Sequence, residues 1–173
     1  MSTHIIAPAA AFRWVLTVAF IAAVAMASGS EAEADAIVGV ASVIDGDTIE
    51  IHGERIRLHG IDAPESAQLC QRQSGERWRC GQQASLALSD WIGRATIRCE
   101  PRDRDRYGRT VAICFKGNED LGRWMVVNGW AVAYRRYSVD YVADEDAARS
   151  ARRNVWSGTF DMPWEWRASR RGS

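Results

Sequence analysis

Two short acidic motifs could bind a metal ion. Asp45 and Asp47 are separated by one glycine in the segment DGDT, and Asp62 and Glu65 are three residues apart in the segment DAPE. Each motif adjoins a segment that predicts a strand, and the strand ends of a meander can meet at one rim of a sheet. Four acids placed there would repel one another unless a cation lay among them, and a hard divalent cation prefers oxygen ligands. The two motifs therefore predict a divalent metal site.

The first acidic motif is not an EF-hand calcium loop. Ile49 stands at the third ligand position of that loop, and Glu50 stands where its obligatory glycine would be. An explanation without a ligand stays open for both motifs. The first pair of acids would then belong to a solvated turn, and the second pair would cap a strand end and lie in a loop.

Two arginines could bind phosphate. Arg57 lies in the middle of an alternating segment, and Arg109 follows Tyr107-Gly108 at the start of another. A guanidinium group is planar, keeps its charge and can hold two phosphate oxygens at once. In phosphodiester hydrolysis a cation and guanidinium groups offset the developing charge, while a carboxylate takes a proton from water. The acids and arginines together predict this chemistry, although either arginine alone would be an ordinary surface charge.

The composition is that of a globular protein. The 173 residues include 22 Lys and Arg against 22 Asp and Glu, and 47% of them are hydrophobic. These values exclude a collagen-like repeat and a fully disordered chain, and the length predicts one domain. Because the net charge is zero, affinity for a polyanion has to come from a local site. We expect this affinity to fall steeply in salt and to show no base specificity.

Residues 1–27 are typical of a secretory signal peptide. Arg13 precedes an uncharged apolar run that ends in Ala25-Met26-Ala27. The run is short for a membrane span, and small residues stand where a signal peptidase cuts. We expect cleavage after Ala27 and a secreted or periplasmic protein. A second Ala-x-Ala at 32–34 leaves the cleavage site open, and an uncleaved anchor, which alone would bring membrane contact, is the alternative.

Four cysteines can pair in an oxidising compartment: Cys70, Cys80, Cys99 and Cys114. Their spacings contain no CxxC and no nearby histidine pair, which argues against a zinc site. Three pairings are possible. The sequence favours Cys70–Cys80, which closes a short loop, and Cys99–Cys114, which joins two predicted neighbouring strands. Two buried thiols are the alternative for the second pair.

The hydrophobic pattern predicts an α+β domain, because it alternates in five segments and repeats at helical spacing in three. The predicted strands cover 37–44, 48–52, 55–61, 96–99 and 109–115, and the predicted helices cover 81–93, 121–128 and 142–153. Short turns between the first strands favour a closed five-stranded barrel with helices packed against it. We expect this domain over 36–160 and a basic, flexible tail over 161–173.

Three motifs in this order resemble the staphylococcal nuclease (thermonuclease) family. Two later segments are also similar to that family, and the resemblance covers about residues 37–156. The matching segments are VIDGDT (43–48), IRLHGIDAPE (56–65), DRYGR (105–109), NGWAVAY (128–134) and EDAAR with NVW (within 145–156). Because separate motifs in register are far more specific than a single one, the chain is identified as a member of this family.

The resemblance implies an OB-fold barrel with three packed helices and a calcium-dependent nuclease acting on DNA and RNA. Cleavage of the 5′ P–O bond would leave 3′-phosphates. The implied partners are DNA and RNA, bound with low sequence specificity by a monomer that has no stable protein partner. The alternative is a non-catalytic nucleic-acid-binding OB-fold module of the cell envelope. Loss of the acids or arginines is the usual mark of such a module, and here they are all present.

The resemblance also implies a role for each matching residue. Asp47 and Asp62 match calcium-binding carboxylates, and Asp45 matches an acid further from the metal. Ala63 stands where the best-known member has threonine, and it would offer its backbone carbonyl to the metal. Glu65 matches the acid assigned as general base. The other matches are the phosphate-binding Arg57 and Arg109 and the nucleotide-pocket tyrosines Tyr107 and Tyr134.

One departure from the family concerns the loop after Glu65. The best-known member has a mobile loop there, whereas a Cys70–Cys80 bridge would tether the loop only five residues after Glu65. We hypothesise that this bridge holds the loop of the general base over the site.

Overall fold

The computed structural model describes residues 35–171, together with Met1 and Thr3. The chain divides into the units Met1–Ala32 and Glu33–Ser173, and the fold below is that of the second unit. Apart from Met1 and Thr3, the predicted signal peptide over 1–27 lies outside the described residues, as does its cleavage site after Ala27. Among the residues described, no helix is both long and apolar enough to cross a membrane.

The second unit begins with seven short strands, and its helices and remaining strands follow. The strands are β1 (Ile37–Val40), β2 (Ser42–Asp45), β3 (Thr48–Ile51), β4 (Glu54–Leu58), β5 (Ile61–Asp62), β6 (Cys70–Arg72), β7 (Arg77–Trp78), β8 (Thr96–Arg104), β9 (Thr110–Lys116), β10 (Glu119–Asp120), β11 (Val132–Ala133) and β12 (Gly158–Thr159). The helices are α1 (Cys80–Ile92), α2 (Leu121–Val127), α3 (Val142–Ser150) and α4 (Pro163–Arg171), with a 3-10 turn at Asn154–Ser157.

The main sheet curls back on itself. Its order is β1-β8-β9-β4-β3-β2, and only Ala41 separates β1 from β2. One bent segment therefore pairs with β8 through its first half and with β3 through its second half. Counting that segment once, the sheet has the five long strands that the alternation predicts. The predicted α+β, OB-fold class is confirmed, with four helices in the described residues where three were expected.

The core forms because alternating strand residues point to one side of the curled sheet. Ile49, Ile51 and Ile56 are fully buried there, and Leu88 of α1 packs into the same cluster. Each such side chain stabilises the fold by roughly 1.5–3 kcal/mol. The turn between β3 and β4 keeps this alternation in register: His52 and Gly53 both have positive φ, 53° and 82°. A two-residue turn of that kind matches the twist of the strands that it joins.

Both predicted disulfides are present. Cys99 and Cys114 are register partners on β8 and β9, so their bridge crosses two neighbouring strands of the barrel. Cys70 at the start of β6 is bonded to Cys80 at the start of α1. This second bridge closes the hairpin of β6 and β7, which lies in the segment after Glu65.

The C-terminal residues differ from the flexible tail predicted over 161–173. Residues 163–171 form helix α4. The sequence offers this segment no apolar partner nearby, but the fold does: the Trp164 ring stacks on the Tyr134 ring, with centroids 5.3 Å apart and planes 3° from parallel. Proline at the first position suits a helix start, since its missing N–H would have no helical partner there.

Candidate active site

The floor of the site is a buried cluster of two carboxylates and one guanidinium group. Nη1 of Arg57 donates to Oδ1 of Asp47 at 2.7 Å, and Nη2 donates to Oδ1 of Asp62 at 2.8 Å. Asp47 and Asp62 are 3% and 0% exposed. The two acidic motifs therefore meet in space, and the positive group that they share in this structure is Arg57, where the sequence predicts a divalent cation.

Three backbone features bring the two motifs together. Asp47 lies in the turn between β2 and β3, while Asp62 ends β5, which pairs with β11. The N–H of Ala63 donates to Oδ2 of Asp47 at 2.9 Å. Glycine is required between the acids of DGDT because a Cβ on Gly46 would lie 2.7 Å from the Cβ of Ala63. The close approach of the two loops thus depends on Gly46.

Asp45 and Ala63 contribute differently from Asp47 and Asp62. Oδ1 of Asp45 accepts the backbone N–H of Asp47 at 3.1 Å, which fixes the turn. The contact of Ala63 with the cluster is made through its N–H. Its predicted role as a carbonyl ligand stays a prediction.

Burial changes the acidity of the floor. Burial raises the pKa of Asp47 to about 6, and the charge of Arg57 offsets only part of that rise. Burial also raises the pKa of Asp62, against the hydrogen bonds and charges of Arg167 and Arg57. The two carboxylates thus lie in an environment that disfavours negative charge, which is where a positive partner contributes most.

Glu65 lies at the edge of the floor on a braced loop. Its N–H donates to Oε1 of Gln68 at 3.2 Å, and its carbonyl accepts the N–H of Gln68 at 2.7 Å. Gly81 of α1 lies directly against the backbone of Glu65. A Cβ on Gly81 would lie only 1.8 Å from the Glu65 carbonyl oxygen, so this contact requires glycine. Gly81 follows Cys80, so the Cys70–Cys80 bridge anchors the same contact. The Glu65 carboxylate itself remains one-third exposed.

Arg109 lies on a loop at the rim. Its Nε donates to Oδ2 of Asp105 at 2.7 Å, and its guanidinium lies 5.7 Å from the centre of the Tyr107 ring. Burial alone would raise the pKa of Asp105, but the hydrogen bonds and charge of Arg109 hold it below its ordinary value. Tyr107 is 66% exposed. In this structure Arg109 is therefore paired with a neighbour four residues away rather than with the floor.

Sequence reasoning missed Arg167. From α4 its Nη1 donates to Oδ1 of Asp62 at 2.9 Å and to Oε1 of Glu65 at 2.8 Å, while Nη2 donates to Oδ2 of Asp62 at 2.7 Å. Gln68 was also missed, and it reaches the same segment through a hydrogen bond from Nε2 to the Asp161 carbonyl at 2.6 Å. The helix-start proline at position 163 was the available signal for α4. No local signal marks Gln68.

One cavity of about 690 Å³ brings the predicted residues together. Its lining includes Asp45, Arg57, Glu65, Tyr107, Arg109 and Tyr134 from the predicted set, and Tyr137, Trp164 and Arg167 from outside it. Asp47 and Asp62 lie beneath it, in contact with Arg57. A charged cleft of this size, with an exposed carboxylate, guanidinium groups and aromatic rings, can hold a nucleotide phosphate and its base.

The donor chemistry of the floor fits a hard divalent cation. Carboxylate oxygens of Asp47 and Asp62 converge on the single guanidinium group of Arg57, and such oxygens are the ligands that calcium takes. Within residues 35–171 no group of three or more His, Cys, Asp or Glu side chains is arranged to hold a metal ion. The oxygens of the two aspartates instead accept hydrogen bonds from Arg57 and Arg167.

The OB-fold barrel thus presents acids and arginines around one nucleotide-sized cleft. The family model described as "Staphylococcal nuclease homologue" matches residues 55–158. The match begins within β4, includes the Glu65 loop and the Arg109 loop, and ends before α4. The chain belongs to the staphylococcal nuclease family.

Three relatives illustrate this membership. The chain is 41% identical over 126 residues to the succinoglycan biosynthesis protein ExoI of Rhizobium meliloti (strain 1021), covering 71% of this chain and 66% of that protein. It is 34% identical to an "Uncharacterized endonuclease" of Escherichia coli O157:H7, covering 74% of this chain and 82% of that protein. It is 32% identical to a "Micrococcal nuclease" of Shigella flexneri, covering 74% and 78%.

Proposed function

We propose that the protein is a calcium-dependent nuclease that hydrolyses phosphodiester bonds of DNA and RNA. The observation that supports this most is the shared cavity, which presents Glu65, Arg57 and Arg109 above the carboxylates of Asp47 and Asp62. One possible proton acceptor, Glu65, and two positively charged groups therefore line the cavity that lies over the candidate cation site. Hydrolysis of an anionic ester needs these components together.

The chain's own residues divide the work between proton transfer and charge stabilisation. Glu65 accepts a proton from a water molecule whose oxygen forms a bond to phosphorus. The bond from phosphorus to the 5′ oxygen breaks, the 5′ oxygen leaves with the electron pair and takes a proton from solvent, and the phosphate stays on the 3′ side. Arg57 and Arg109 hold the non-bridging oxygens, where negative charge accumulates.

Asp47 and Asp62 would hold the calcium ion, with Asp45 and the Ala63 carbonyl as further candidate oxygens. When bound, the ion would supply positive charge beside the reacting phosphate. Arg109 has to exchange its bond to Asp105 for a bond to substrate, which costs little because the pair is short-range and partly exposed.

The aromatic rings of the cavity bind bases without sequence specificity. Tyr107 is exposed at the rim, and Tyr134 lies in the wall. Stacking on a ring is tolerant of sequence because every base has a flat face. Contacts to phosphate and ring faces are shared by DNA and RNA, so low specificity between the two follows.

Two disulfides favour an oxidising compartment, which supports export of the protein. We therefore propose a secreted or periplasmic location. Expression of the full chain in a bacterium, with intact-mass analysis of the medium and periplasm, should show a chain shortened after Ala27. An exclusively cytoplasmic chain with free thiols would contradict this location.

Hydrolysis is tested with single-stranded DNA and RNA, with calcium or with a chelator in excess. Both substrates should be cut in calcium, the products should carry 3′-phosphates, and the chelator should stop the reaction. Glu65→Gln should lose activity by on the order of 100-fold or more, because it removes the proton acceptor. Glu76→Gln is the matched control, since Glu76 lies on an exposed turn and pairs with Arg72 at 3.7 Å. Equal activity of the two variants would exclude Glu65 as the base.

A further inference from the structure

Helix α4 places a positive group directly on the floor of the site. The guanidinium group of Arg167 contacts both carboxylate oxygens of Asp62, at 2.9 Å and 2.7 Å, and one oxygen of Glu65, at 2.8 Å. Asp62 is fully buried, so the two contacts with its carboxylate are shielded from bulk water on the Asp62 side. Charge-assisted hydrogen bonds in such surroundings are among the strongest in proteins.

The contacts of Arg167 involve the oxygens that a cation on Asp62 would need. Oδ2 of Asp62 accepts from Arg167, and Oδ1 accepts from both Arg57 and Arg167. A guanidinium group and a divalent cation on the same carboxylate repel each other strongly, because both are positive and the site is poorly screened. Arg57 holds only Oδ1 of Asp62, whereas Arg167 holds both oxygens, so a cation on Asp62 has to compete with the present position of Arg167.

The same helix also covers the aromatic wall. Trp164 stacks on Tyr134, with ring centroids 5.3 Å apart and planes 3° from parallel. Tyr137 meets the Tyr134 ring edge-on, with a centroid distance of 4.9 Å and an angle of 73°. The indole thus lies on Tyr134 in the geometry that a stacked base would adopt. One helix occupies the place of a cation with Arg167 and the place of a base with Trp164.

Helix α4 can leave these positions without opening the core. Pro163 is its only buried residue among those described, whereas α1 buries five. Its neighbour Asp161 is held by one hydrogen bond from Gln68. Segments with few buried contacts open at low free-energy cost. The family match covers residues 55–158 and therefore does not include α4.

We propose that α4 is an autoinhibitory segment, which closes the site through Arg167 and Trp164 and must move away before a divalent cation and a nucleotide strand bind. The proposal rests on the proposed function, because it uses the same cation and stacking sites. It predicts that calcium and α4 compete for Asp62. Docking of α4 should weaken calcium binding, and calcium should weaken the docking of α4 by the same factor, because the two effects are thermodynamically linked.

Calcium affinity of the full chain, measured by titration calorimetry, tests the competition. Arg167→Gln should bind calcium more tightly than the parent by on the order of tenfold or more, because calcium no longer has to displace charge-assisted hydrogen bonds. Arg170→Gln is the matched control: it removes the same charge from the same helix, at a guanidinium that lies 4.2 Å from the Trp166 ring centre. The control should bind calcium as the parent does.

Hydrogen exchange of the parent chain, with and without calcium, tests the movement directly. Amides of 163–171 should exchange faster in calcium, and amides of 80–92 should not change. Trp164→Ala should raise calcium affinity in the same direction as Arg167→Gln, because it removes the ring contact that helps to hold α4 on the site, and this variant keeps Arg167 and every carboxylate of the floor. Melting curves of each variant without calcium verify that it is folded.

The two proposals fail in different ways. Equal calcium affinities for the parent and Arg167→Gln, or unchanged exchange of α4 at calcium saturation, would overturn autoinhibition even if the protein digests DNA. Calcium binding coupled to α4 release, without hydrolysis of DNA or RNA, would instead overturn the proposed nuclease function and support the competition. A chain that binds no calcium in any variant would overturn the competition.

Discussion

Two arginine–aspartate pairs in one cleft show how burial changes the same chemistry. Arg57 on the floor is 17% exposed and bonds to two aspartates that come from different loops. Arg109 on the rim is 27% exposed and bonds to Asp105, four residues away. Both pairs have 2.7 Å contacts between nitrogen and oxygen. Distance alone therefore does not distinguish them.

The difference lies in what each pair holds together. The floor pair joins the β2–β3 turn to β5 through β4, so its arginine contributes to stability besides the catalytic role proposed for it. The rim pair orders only its own loop. Removing Arg57 would leave two aspartates that are 4% and 0% exposed, whereas Asp105 and Arg109, at 18% and 27%, keep some access to water, so the loss of either should cost less. The lesson is that Arg57 is fixed in advance, while Arg109 can change its partner.

The largest expected effect comes from breaking the floor. Arg57→Met should lower the free energy of unfolding by about 3–5 kcal/mol, because Asp47 and Asp62 stay buried without their shared partner. Urea unfolding without calcium measures this. Arg55→Met is the control on the same strand, since Arg55 is 63% exposed and 3.7 Å from Glu50, and it should change stability by less than about 1 kcal/mol. Similar losses for both variants would show that burial of the Arg57 pair adds nothing to stability.

Breaking the rim should affect catalysis and spare the fold. Arg109→Ala should lower kcat/KM on single-stranded DNA by about 100–1,000-fold, the usual effect of deleting one charge-stabilising donor. Its free energy of unfolding should stay within about 1 kcal/mol of the parent. Arg102→Ala provides the control, since Arg102 is exposed and pairs with Glu100. Near-full turnover by Arg109→Ala would exclude it from the reaction.

The Gly81→Ala variant tests whether activity depends on the exact position of the Glu65 backbone. A Cβ at this position would overlap the Glu65 carbonyl oxygen, so the backbone has to shift, at about 1–3 kcal/mol. We expect lower kcat together with lower stability. Gly53→Ala strains a turn with φ of 82° but meets no atom within 4 Å, so it should lower stability and leave kcat unchanged. Unchanged kcat in Gly81→Ala would show that Glu65 tolerates displacement.

The Cys70–Cys80 bridge should support the same loop. Reductant is expected to lower activity before the barrel unfolds, because the bridge ends beside Gly81 and hence beside Glu65. Activity, thiol titration and near-ultraviolet circular dichroism should be followed together at rising reductant concentration. If the thiols of this pair are free while activity is intact, the loop does not need the bridge.

The smallest effect concerns pH at the rim. Asp105 has a pKa below its unfolded value, so its pairing stabilises the fold above that value and the contribution is lost as pH falls through the folded pKa. The difference in unfolding free energy between the parent and Asp105→Asn should be at most about 1 kcal/mol at pH 7 and should vanish in acid. The pKa of Asp47 is raised instead, so ionisation of Asp47 destabilises the fold and stability falls as pH rises through this range. A difference that grows in acid would show that the Asp105–Arg109 pair does not lower the pKa of Asp105 in the folded protein.

Much of the barrel and of the floor is predictable from sequence, because the signals involved are local. Alternation in 48–52 and 55–61 places Ile49 and Ile56 inside, and it leaves Arg57 on the polar side. The two acidic motifs follow at strand ends, where a short meander brings them together. Arg109 and Tyr107 lie next to a glycine turn that starts a strand. In each case a few neighbouring residues contain the information.

The Asp105 partner of Arg109 shows a limit of that reasoning. The sequence places Arg109 at a phosphate, but the structure without substrate pairs it with the nearest acid. Similarly, Gln68 has no motif, and its value comes from reaching Asp161 across 93 residues of sequence. Such contacts depend on where distant segments pass, and pattern reasoning cannot supply that.

The amino-acid sequence by itself predicted a small closed barrel and favoured its two bridges from periodicity and spacing, and its resemblance to a family added the roles of the acids and arginines that surround the cleft. Only the tertiary structure decided the fate of residues 163–171. Their helix is held by Arg167 on Asp62 and Trp164 on Tyr134, partners 105 and 30 residues away. From the sequence alone, a segment whose charges and rings have no nearby partner is predicted to be an exposed tail. Arg167 and Trp164 join the site only because the folded barrel places the Asp62 carboxylate and the Tyr134 ring beside them.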